Sequence, residues 1–250
     1  MHPRITTGEF QNYSTGGQAS DRSSGDAAAP PSTWGTGLAA RAFRRFALPF
    51  VLLLPTRVFA RLRTEGLEHL AGVAGPVIFA ANHRSHFDTY ALLTAAPPRW
   101  RYRIAPSMCD CYFGGAGFGL RLQNEFKYFC TVLYLNAFTL PRSPVSLRLA
   151  LRHVQQLTRS GWSILIYPEG ERSTRERLLP FESGVGMLAV QLNLPVIPVH
   201  IDGSEEILPR SAKMFRFGSV RVRFGAPISP QGEDYRNLTA RVERAIRDLA

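Results

Sequence analysis

One stretch of the chain brings together the side chains of an acid–base catalyst. Residues 80–88 read Ala-Ala-Asn-His-Arg-Ser-His-Phe-Asp, which puts His83 and Asp88 five positions apart. On one continuous helix the two side chains would point about 140° apart, given about 100° per residue, so they could not pair there. If His83 lies in a turn and Asp88 in the first turn of the following helix, the carboxylate can bond Nδ1 and leave Nε2 free. The spacing therefore predicts an oriented general base.

The chemistry of such a pair does not need a protein nucleophile. The carboxylate of Asp88 would fix the tautomer of the imidazole and stabilise the imidazolium that forms when His83 takes up a proton. The hydroxyl of an acceptor substrate, once it loses its proton to His83, can itself attack an electrophile. The alternative interpretation is a turn histidine whose hydrogen bond is purely structural.

A second polar motif, residues 167–173, reads Tyr-Pro-Glu-Gly-Glu-Arg-Ser and also follows a short run of β-type residues. The carboxyl ends of parallel strands lie along one edge of a sheet, where ligands of open α/β sheets bind. Gly170 would let the backbone approach a ligand closely, and Arg172 could clamp a phosphate, with Arg142 as a second candidate. We therefore expect both motifs to face one cleft that takes a phosphorylated substrate.

The elements that must position these motifs follow an α/β pattern. Short apolar runs alternate with helical stretches, and residues 131–140 could be strand or helix. Ser143 and Pro144 predict the start of a helix that runs to about residue 159, and residues 235–249 predict an amphipathic closing helix. We expect a single domain with a mixed, largely parallel central sheet of five or six strands, flanked by helices. The clearest strand candidates are residues 77–81, 102–106, 163–167, 196–201 and 220–224.

The chain before residue 64 divides into two parts. Residues 1–36 are rich in Ser, Gly, Thr, Ala and Pro, which predicts a disordered tail. Residues 37–63 combine arginines with an apolar run that has about half of the roughly 20 residues needed to cross a bilayer. Pro49 interrupts this run and Pro55 is expected to end it. The segment 37–63 is therefore predicted to lie on a membrane surface, ahead of a catalytic domain at 64–250.

The charge of the chain points to an anionic partner. Thirty Lys and Arg against 19 Asp and Glu give a net charge of +11. Arginines beside an apolar run suit anionic lipid, whereas the recognition helix, stacking aromatics or zinc-finger spacing of a nucleic-acid-binding protein are not found. Arg44 and Arg45 before Phe46 also resemble a twin-arginine export signal, but they begin over 40 residues into the sequence. We expect a peripheral protein at the cytoplasmic face of a membrane, without a nucleic-acid partner.

The remaining reactive side chains do not favour a metal or redox site. His83, His86 and Asp88 could be ligands of a di-metal hydrolase, but His200 is the one further histidine on a predicted strand, so no metal is expected. The three cysteines are expected to be ordinary thiols in a reducing compartment: Cys109, Cys111 and Cys130.

Over roughly residues 64–228 the chain resembles the glycerolipid acyltransferase family, whose members include the enzymes that acylate lysophosphatidic acid. The family's first motif, Asn-His followed by four residues and Asp, matches Asn82, His83 and Asp88. The family's later motifs are similar to the stretches 168–173 (Pro-Glu-Gly-x-Arg-Ser), 181–184 (Phe-x-x-Gly) and 196–199 (Val-Ile-Pro-Val).

This resemblance implies a reaction and a set of roles. A fatty acyl group would move from an acyl thioester, either acyl-CoA or acyl-carrier protein, to a lysophospholipid hydroxyl, most simply that of 1-acyl-glycerol-3-phosphate, in phospholipid biosynthesis. His83 and Asp88 would catalyse the transfer without a cofactor or a covalent acyl-enzyme. Arg142 would contact the phosphate and Pro198 would shape the wall of the acyl pocket. The expected substrate-binding residues are Asn82, Arg142, Glu169, Gly170, Arg172, Ser173 and Pro198.

Two departures from the family pattern leave alternatives open. Glu171 stands where the family usually has Thr, which adds a negative charge beside the expected phosphate site. Residues 107–135 also lack the lysine- and acid-bearing segment that is common before the family's second motif. The alternatives are a different lysolipid or a non-phosphate lipid as acceptor, or an acyltransferase-like membrane-binding protein without activity.

Overall fold

Seven strands form one sheet in the computed structural model, which describes residues 37–109, 130–140, 144–173, 178–209, 212 and 214–250. The strands are β1 (Ala60–Glu65), β2 (Ile78–Ala81), β3 (Ile104–Cys109), β4 (Phe138–Leu140), β5 (Ser163–Ile166), β6 (Val196–Asp202) and β7 (Gly218–Phe224). Their order is β1-β7-β6-β2-β5-β3-β4. Neighbouring strands are parallel, except that β6 and β7 are antiparallel. The mixed, largely parallel sheet confirms the predicted fold class.

Helices cover both faces of this sheet. In the described residues they are α1 (Leu38–Leu48), α2 (Leu54–Phe59), α3 (Glu68–Ala71), α4 (Phe87–Ala95), α5 (Pro98–Arg101), α6 (130–135), α7 (Pro144–Arg159), α8 (Gly184–Leu192), α9 (Ser204–Ile207) and α10 (Tyr235–Asp248). A π-helical turn, Pro49–Leu53, joins α1 to α2.

The central strand β2 contributes to two separate cores. Phe79 is fully buried in one cluster with Leu92 of α4, while Ile78 is fully buried in a second cluster with Ile246 of α10. A strand with a packed layer on each face is apolar throughout, because neither side meets water. This explains why the inner strands were predicted as continuous apolar runs and were found within a few residues of their actual positions.

Other elements differ from the prediction in informative ways. The ambiguous stretch 131–140 holds both a helix, α6, and a strand, β4. The strand β1, with the sequence Ala-Arg-Leu-Arg-Thr-Glu, was not predicted. It lies at the edge of the sheet, where alternating charged side chains are usual because they discourage pairing with another chain. β1 also runs across the boundary expected between residues 63 and 64, so the segment before it is joined to the sheet.

The N-terminal segment is helical from Leu38 to Phe59. Pro55, expected to end the apolar run, is the second residue of α2 directly after the π-helical turn, and the chain stays helical through it. Some apolar side chains of the N-terminal segment pack in the core with α4, while others remain on the surface. No helix in the described ranges is long and apolar enough to cross a membrane. The buried residues include Leu48, Leu52 and Leu53, and the exposed ones Leu38, Phe46, Phe50, Leu54 and Val58.

Candidate active site

The two polar motifs lie side by side at one edge of the sheet. β2 and β5 are parallel neighbours, so the residues that follow each strand leave the sheet at adjacent carboxyl ends. His83 lies in the turn between β2 and α4, and Asp88 is the second residue of α4. The chain folds this way because β2 ends at Ala81 and α4 begins only at Phe87, which leaves a turn in which the side chain of His83 can reach back to Asp88.

The centre of the site is a hydrogen bond between His83 and Asp88. Nδ1 of His83 lies 2.9 Å from Oδ2 of Asp88, whose side chain is completely buried. The same carboxylate accepts the backbone N–H groups of Arg84 at 2.7 Å and Ser85 at 2.9 Å, and Oδ1 accepts the hydroxyl of Ser204. These donors fix the orientation of the carboxylate. The side chain of His83 is 17 % exposed, and Nε2 is the nitrogen left for a substrate.

A tyrosine holds the imidazole ring from one side. The ring of Tyr167 stacks on His83 with centroids 4.1 Å apart and planes 23° apart. Its hydroxyl lies 2.7 Å from Oγ1 of Thr89 on α4. Burial, and then the charge of Asp88, raise the pKa of Tyr167, so the phenol stays neutral beside the pair. Neither Tyr167 nor Thr89 was among the predicted site residues, although the aromatic residue directly before the Pro-Glu-Gly motif was a usable signal.

The backbone of His83 is held by two residues of the second motif. Oε1 of Glu169 accepts the N–H of His83 at 2.7 Å, and Oε2 accepts the N–H of Leu179 at 2.9 Å. The N–H of Ser173 donates to the carbonyl of His83 at 2.8 Å. Burial raises the pKa of Glu169 and outweighs the hydrogen bonds from the N–H groups of Leu179 and His83, which lower it. The structure thus places Glu169 and Ser173, both expected to bind substrate, behind His83 as its buried backbone partners.

Two further predicted binding residues lie within the sheet rather than in an open cleft. The amide of Asn82 is fully buried and exchanges two hydrogen bonds with the backbone of Ile201, at 2.8 and 2.7 Å. It ties the end of β2 to β6. Pro198 is buried in β6 opposite Ala80, and its carbonyl accepts the N–H of Gly225 at 2.8 Å.

The remaining predicted residues belong to the turn after β5 or lie outside the described chain. Gly170 has a φ of +69°, a backbone conformation that favours glycine because it strains residues with a Cβ. Arg172 is partly exposed, and among the described residues no carboxylate lies within ion-pair distance of it. Arg142, Cys111 and the tail 1–36 fall outside the described residues.

An apolar cavity opens beside α4. It has a volume of about 140 Å³ and is lined by the π-helical turn, by α4 and by α6. Tyr90, two residues after Asp88, lies on its wall together with Leu52, Tyr134 and the free thiol of Cys130.

The structure offers little to a bound metal in the part that it describes. No group of three or more His, Cys, Asp or Glu side chains there could hold an ion. His83 and Asp88 instead bond each other, and both carboxylate oxygens of Asp88 already accept hydrogen bonds from neighbouring groups. The geometry suits proton transfer at Nε2 of His83 better than metal ligation.

The chain matches the profile of the acyltransferase family over residues 61–202, more than half of its 250 residues. A chloroplastic 1-acyl-sn-glycerol-3-phosphate acyltransferase of Brassica napus is 27% identical over 189 residues, which cover 75% of this chain and 51% of that protein. The human 1-acyl-sn-glycerol-3-phosphate acyltransferase beta is 27% identical over 176 residues, 70% of this chain and 59% of that protein. The chain spans about half the length of the first curated relatives that it matches.

The fold also has a solved counterpart. The crystal structure of the 1-acyl-sn-glycerophosphate acyltransferase PlsC from Thermotoga maritima superposes with a TM-score of 0.56 at 23% identity. The match covers 84% of this chain and 78% of that one, which shows that the two share a fold. Because the family profile covers more than half of the sequence, the chain belongs to the acyltransferase family.

Proposed function

We propose that the protein transfers a fatty acyl group from an acyl thioester to the hydroxyl of 1-acyl-glycerol-3-phosphate, with His83 as the general base. The observation that carries the proposal is the buried carboxylate of Asp88 at 2.9 Å from Nδ1 of His83, with Nε2 left available. The choice of acceptor is supported by the relatives, which are named as 1-acyl-sn-glycerol-3-phosphate acyltransferases.

The proposed reaction is direct transfer. The acceptor hydroxyl gives its proton to Nε2 of His83 while its oxygen bonds to the thioester carbonyl carbon. The tetrahedral intermediate then expels the thiolate, which accepts the proton from the imidazolium and leaves as the free thiol. Asp88 stabilises the imidazolium between these steps. No acyl-enzyme forms and no cofactor is needed, whether the donor is acyl-CoA or acyl-carrier protein.

Recognition of the acceptor is assigned to the rim of the same edge. Arg172 follows Gly170 in the turn after β5 and has no ion-pair partner among the described residues, so its guanidinium suits a phosphate. Arg142 is proposed as the second phosphate contact. We assign the cavity at Tyr90 to part of the acyl chain, since most of its wall is apolar and it adjoins the helix that carries Asp88.

We also propose that the protein is peripheral at the cytoplasmic face of a membrane, bound through the N-terminal segment. Phe46 and Phe50 are 73 % and 61 % exposed, and the arginines at 41, 45 and 57 are exposed beside them. Aromatic side chains among arginines favour the headgroup region of an anionic bilayer.

The experiment that tests the reaction is transfer of radiolabelled palmitoyl or oleoyl groups from coenzyme A to a panel of lysophospholipids, with wild type beside His83→Ala. We expect label in the product only with wild type and most of it on 1-acyl-glycerol-3-phosphate. Label on another lysolipid would replace the acceptor. Equal transfer by His83→Ala would refute the assigned base. No transfer from coenzyme A to any lysolipid would contradict the proposed reaction and point to another donor, a non-phosphate acceptor or an inactive member of the family.

A further inference from the structure

Two of the most exposed apolar side chains lie far from the N-terminal segment in sequence. Met214 and Phe217, between α9 and β7, are 80 % and 77 % exposed. Phe215 between them points the other way and packs edge-on against Phe87 and Tyr90 of α4, with ring centroids 5.6 and 6.2 Å apart. The inward ring fixes the segment on the domain, and its neighbours are held in solvent.

This segment adjoins α2. The ring of Phe59 contacts those of Phe217 and Phe215, with centroids 5.1 and 5.5 Å apart. Val58, next to Phe59, is 52 % exposed, and Leu54 lies one helical turn earlier at 54 %. We call the four exposed residues Leu54, Val58, Met214 and Phe217 the α2–β7 patch; the first two belong to the N-terminal segment, and Phe59 joins them to the other two. Exposed apolar side chains that adjoin in this way mark an interaction surface more often than single ones do.

The topology puts this patch on the edge of the sheet that carries His83. β6 runs parallel to β2, and β7 is antiparallel to β6, so β7 begins at the edge where β2 and β6 end. β1 is parallel to β7, with Ala60 opposite Gly218, so it begins at that edge too. Phe59 and Phe217 directly precede these two strands.

The charge around the patch favours anionic lipid as the occupant. Arg57 and Arg216 lie within it in sequence and both are exposed, as is Arg61 at the start of β1. Arginines interspersed with a methionine and an aromatic ring match a bilayer surface, where the rings enter the headgroup boundary and the guanidinium groups meet phosphate.

We infer that Met214 and Phe217 extend the membrane contact of the N-terminal segment, entering the surface of an anionic bilayer beside Leu54 and Val58 in the α2–β7 patch. This inference rests on the proposed function in one respect: a lipid acceptor lies in a membrane, so the active-site edge must meet the bilayer to reach it. Contact at both places sets the edge with His83 against the headgroups, and the packing of Phe215 on Phe87 and Tyr90 joins the patch to the helix that carries Asp88.

The direct test places a tryptophan in the patch. Phe217→Trp in the full chain is mixed with vesicles of phosphatidylglycerol and phosphatidylcholine that carry brominated acyl chains, and its emission is compared with wild type to subtract the native tryptophans. We expect the added emission to shift to the blue and to be quenched. The matched control is Leu67→Trp, since Leu67 is 37 % exposed at the far end of β1 and should stay unquenched. An unquenched Trp at 217 overturns the inference.

A binding measurement separates this contact from the N-terminal one. Sedimentation with the same vesicles, unbrominated, should show roughly tenfold weaker binding for Met214→Ser with Phe217→Ser, given the apolar area that the two side chains bury. Leu67→Ser should bind like wild type. Arg216→Ala should weaken binding more than Arg244→Ala, a change at an exposed arginine on α10. Unchanged binding by both patch variants would show that the N-terminal segment alone accounts for membrane binding, and it would overturn the inference.

The two proposals fail in different ways. Acyl transfer measured in detergent micelles does not require vesicle binding, so the patch variants should keep wild-type rates there. If wild type transfers nothing in micelles, the proposed function fails while the quenching result still stands. If the patch variants lose activity in micelles, the patch acts through the fold of the site and the inference is wrong.

Discussion

At the scale of single residues, the site is built around one buried carboxylate. Asp88 accepts hydrogen bonds from an imidazole, two backbone N–H groups and a hydroxyl. A carboxylate held by so many donors cannot turn away from His83 without leaving several of them unsatisfied in the interior. The orientation of the imidazole is therefore fixed before any substrate arrives.

Replacing Asp88 with Asn should lower kcat about 10²- to 10⁴-fold, because the amide no longer stabilises the imidazolium of His83 and favours the wrong tautomer. The KM for the acceptor should change little, since Asp88 is fully buried and has no access to the lipid. Steady-state kinetics with wild type and variant measure both quantities. A large rise in KM at constant kcat would contradict the assignment, and circular dichroism would check that the variant is folded.

Replacing Arg172 with Ala should raise the KM for a phosphorylated acceptor about tenfold or more while kcat changes little, because one charge-assisted contact with phosphate is lost. Glu171→Thr should lower the KM for the same acceptor by a few-fold, since it removes a negative charge beside the expected phosphate site. Kinetics with 1-acyl-glycerol-3-phosphate and with monoacylglycerol, which lacks a phosphate, measure both effects. Equal changes for the two acceptors would show that Arg172 does not contact phosphate.

At the scale of elements, the pattern in the sequence predicted the parts whose signal is local. The inner strands are continuous apolar runs, and Leu238, Val242 and Ile246 recur at helical spacing in α10 and are fully buried. Other features depend on partners distant in sequence, so no local pattern could show them. Asn82 bonds a residue 119 positions away, and Glu169 bonds His83 across 86 positions. Their roles became visible only when β2, β5 and β6 were side by side.

The turn after β5 supports a prediction at this scale. Glu169→Gln should lower the free energy of unfolding by about 1–3 kcal/mol, because one carbonyl oxygen cannot accept the N–H groups of both His83 and Leu179. We also expect kcat to fall with little change in KM, since the backbone of His83 loses a fixed position. Urea unfolding and kinetics measure these effects. Glu182→Gln is the control, because that carboxylate is exposed near the same turn; a loss of equal size there would point to general loosening.

At the scale of the whole molecule, His200 makes stability depend on pH. It is 3 % exposed on β6. Burial, and then Arg84 and Arg223, lower its pKa from 6.5 to about 4, against opposing contributions from Asp202 and Asp88. The fold therefore holds the neutral imidazole, and the unfolded chain binds a proton first as the pH falls. This stabilisation is complete above about pH 6.5 and is lost towards pH 4, by about 3 kcal/mol.

The change His200→Gln should remove this part of the pH dependence, because glutamine does not titrate. Urea unfolding at pH 7.5 and pH 4.5 gives the difference in free energy for each protein, and that difference should be smaller in the variant than in wild type. His69→Gln is the matched control, since His69 lies on α3 and is not among the charged groups that act on His200. If both variants keep the wild-type slope, carboxylates alone account for the loss of stability in acid.

The pairing of β1 with β7 also sets the order in which the molecule can be completed during synthesis. Glu65 and Arg223 meet across 158 positions of sequence. β1 can therefore join the sheet only after the chain has been made as far as β7, and contacts of such long range form late in folding. Throughout that interval the helices before β1 have no finished domain to pack against. If the proposed membrane contact forms during synthesis, the bilayer would cover these apolar side chains in that interval and protect the unfinished chain from aggregation.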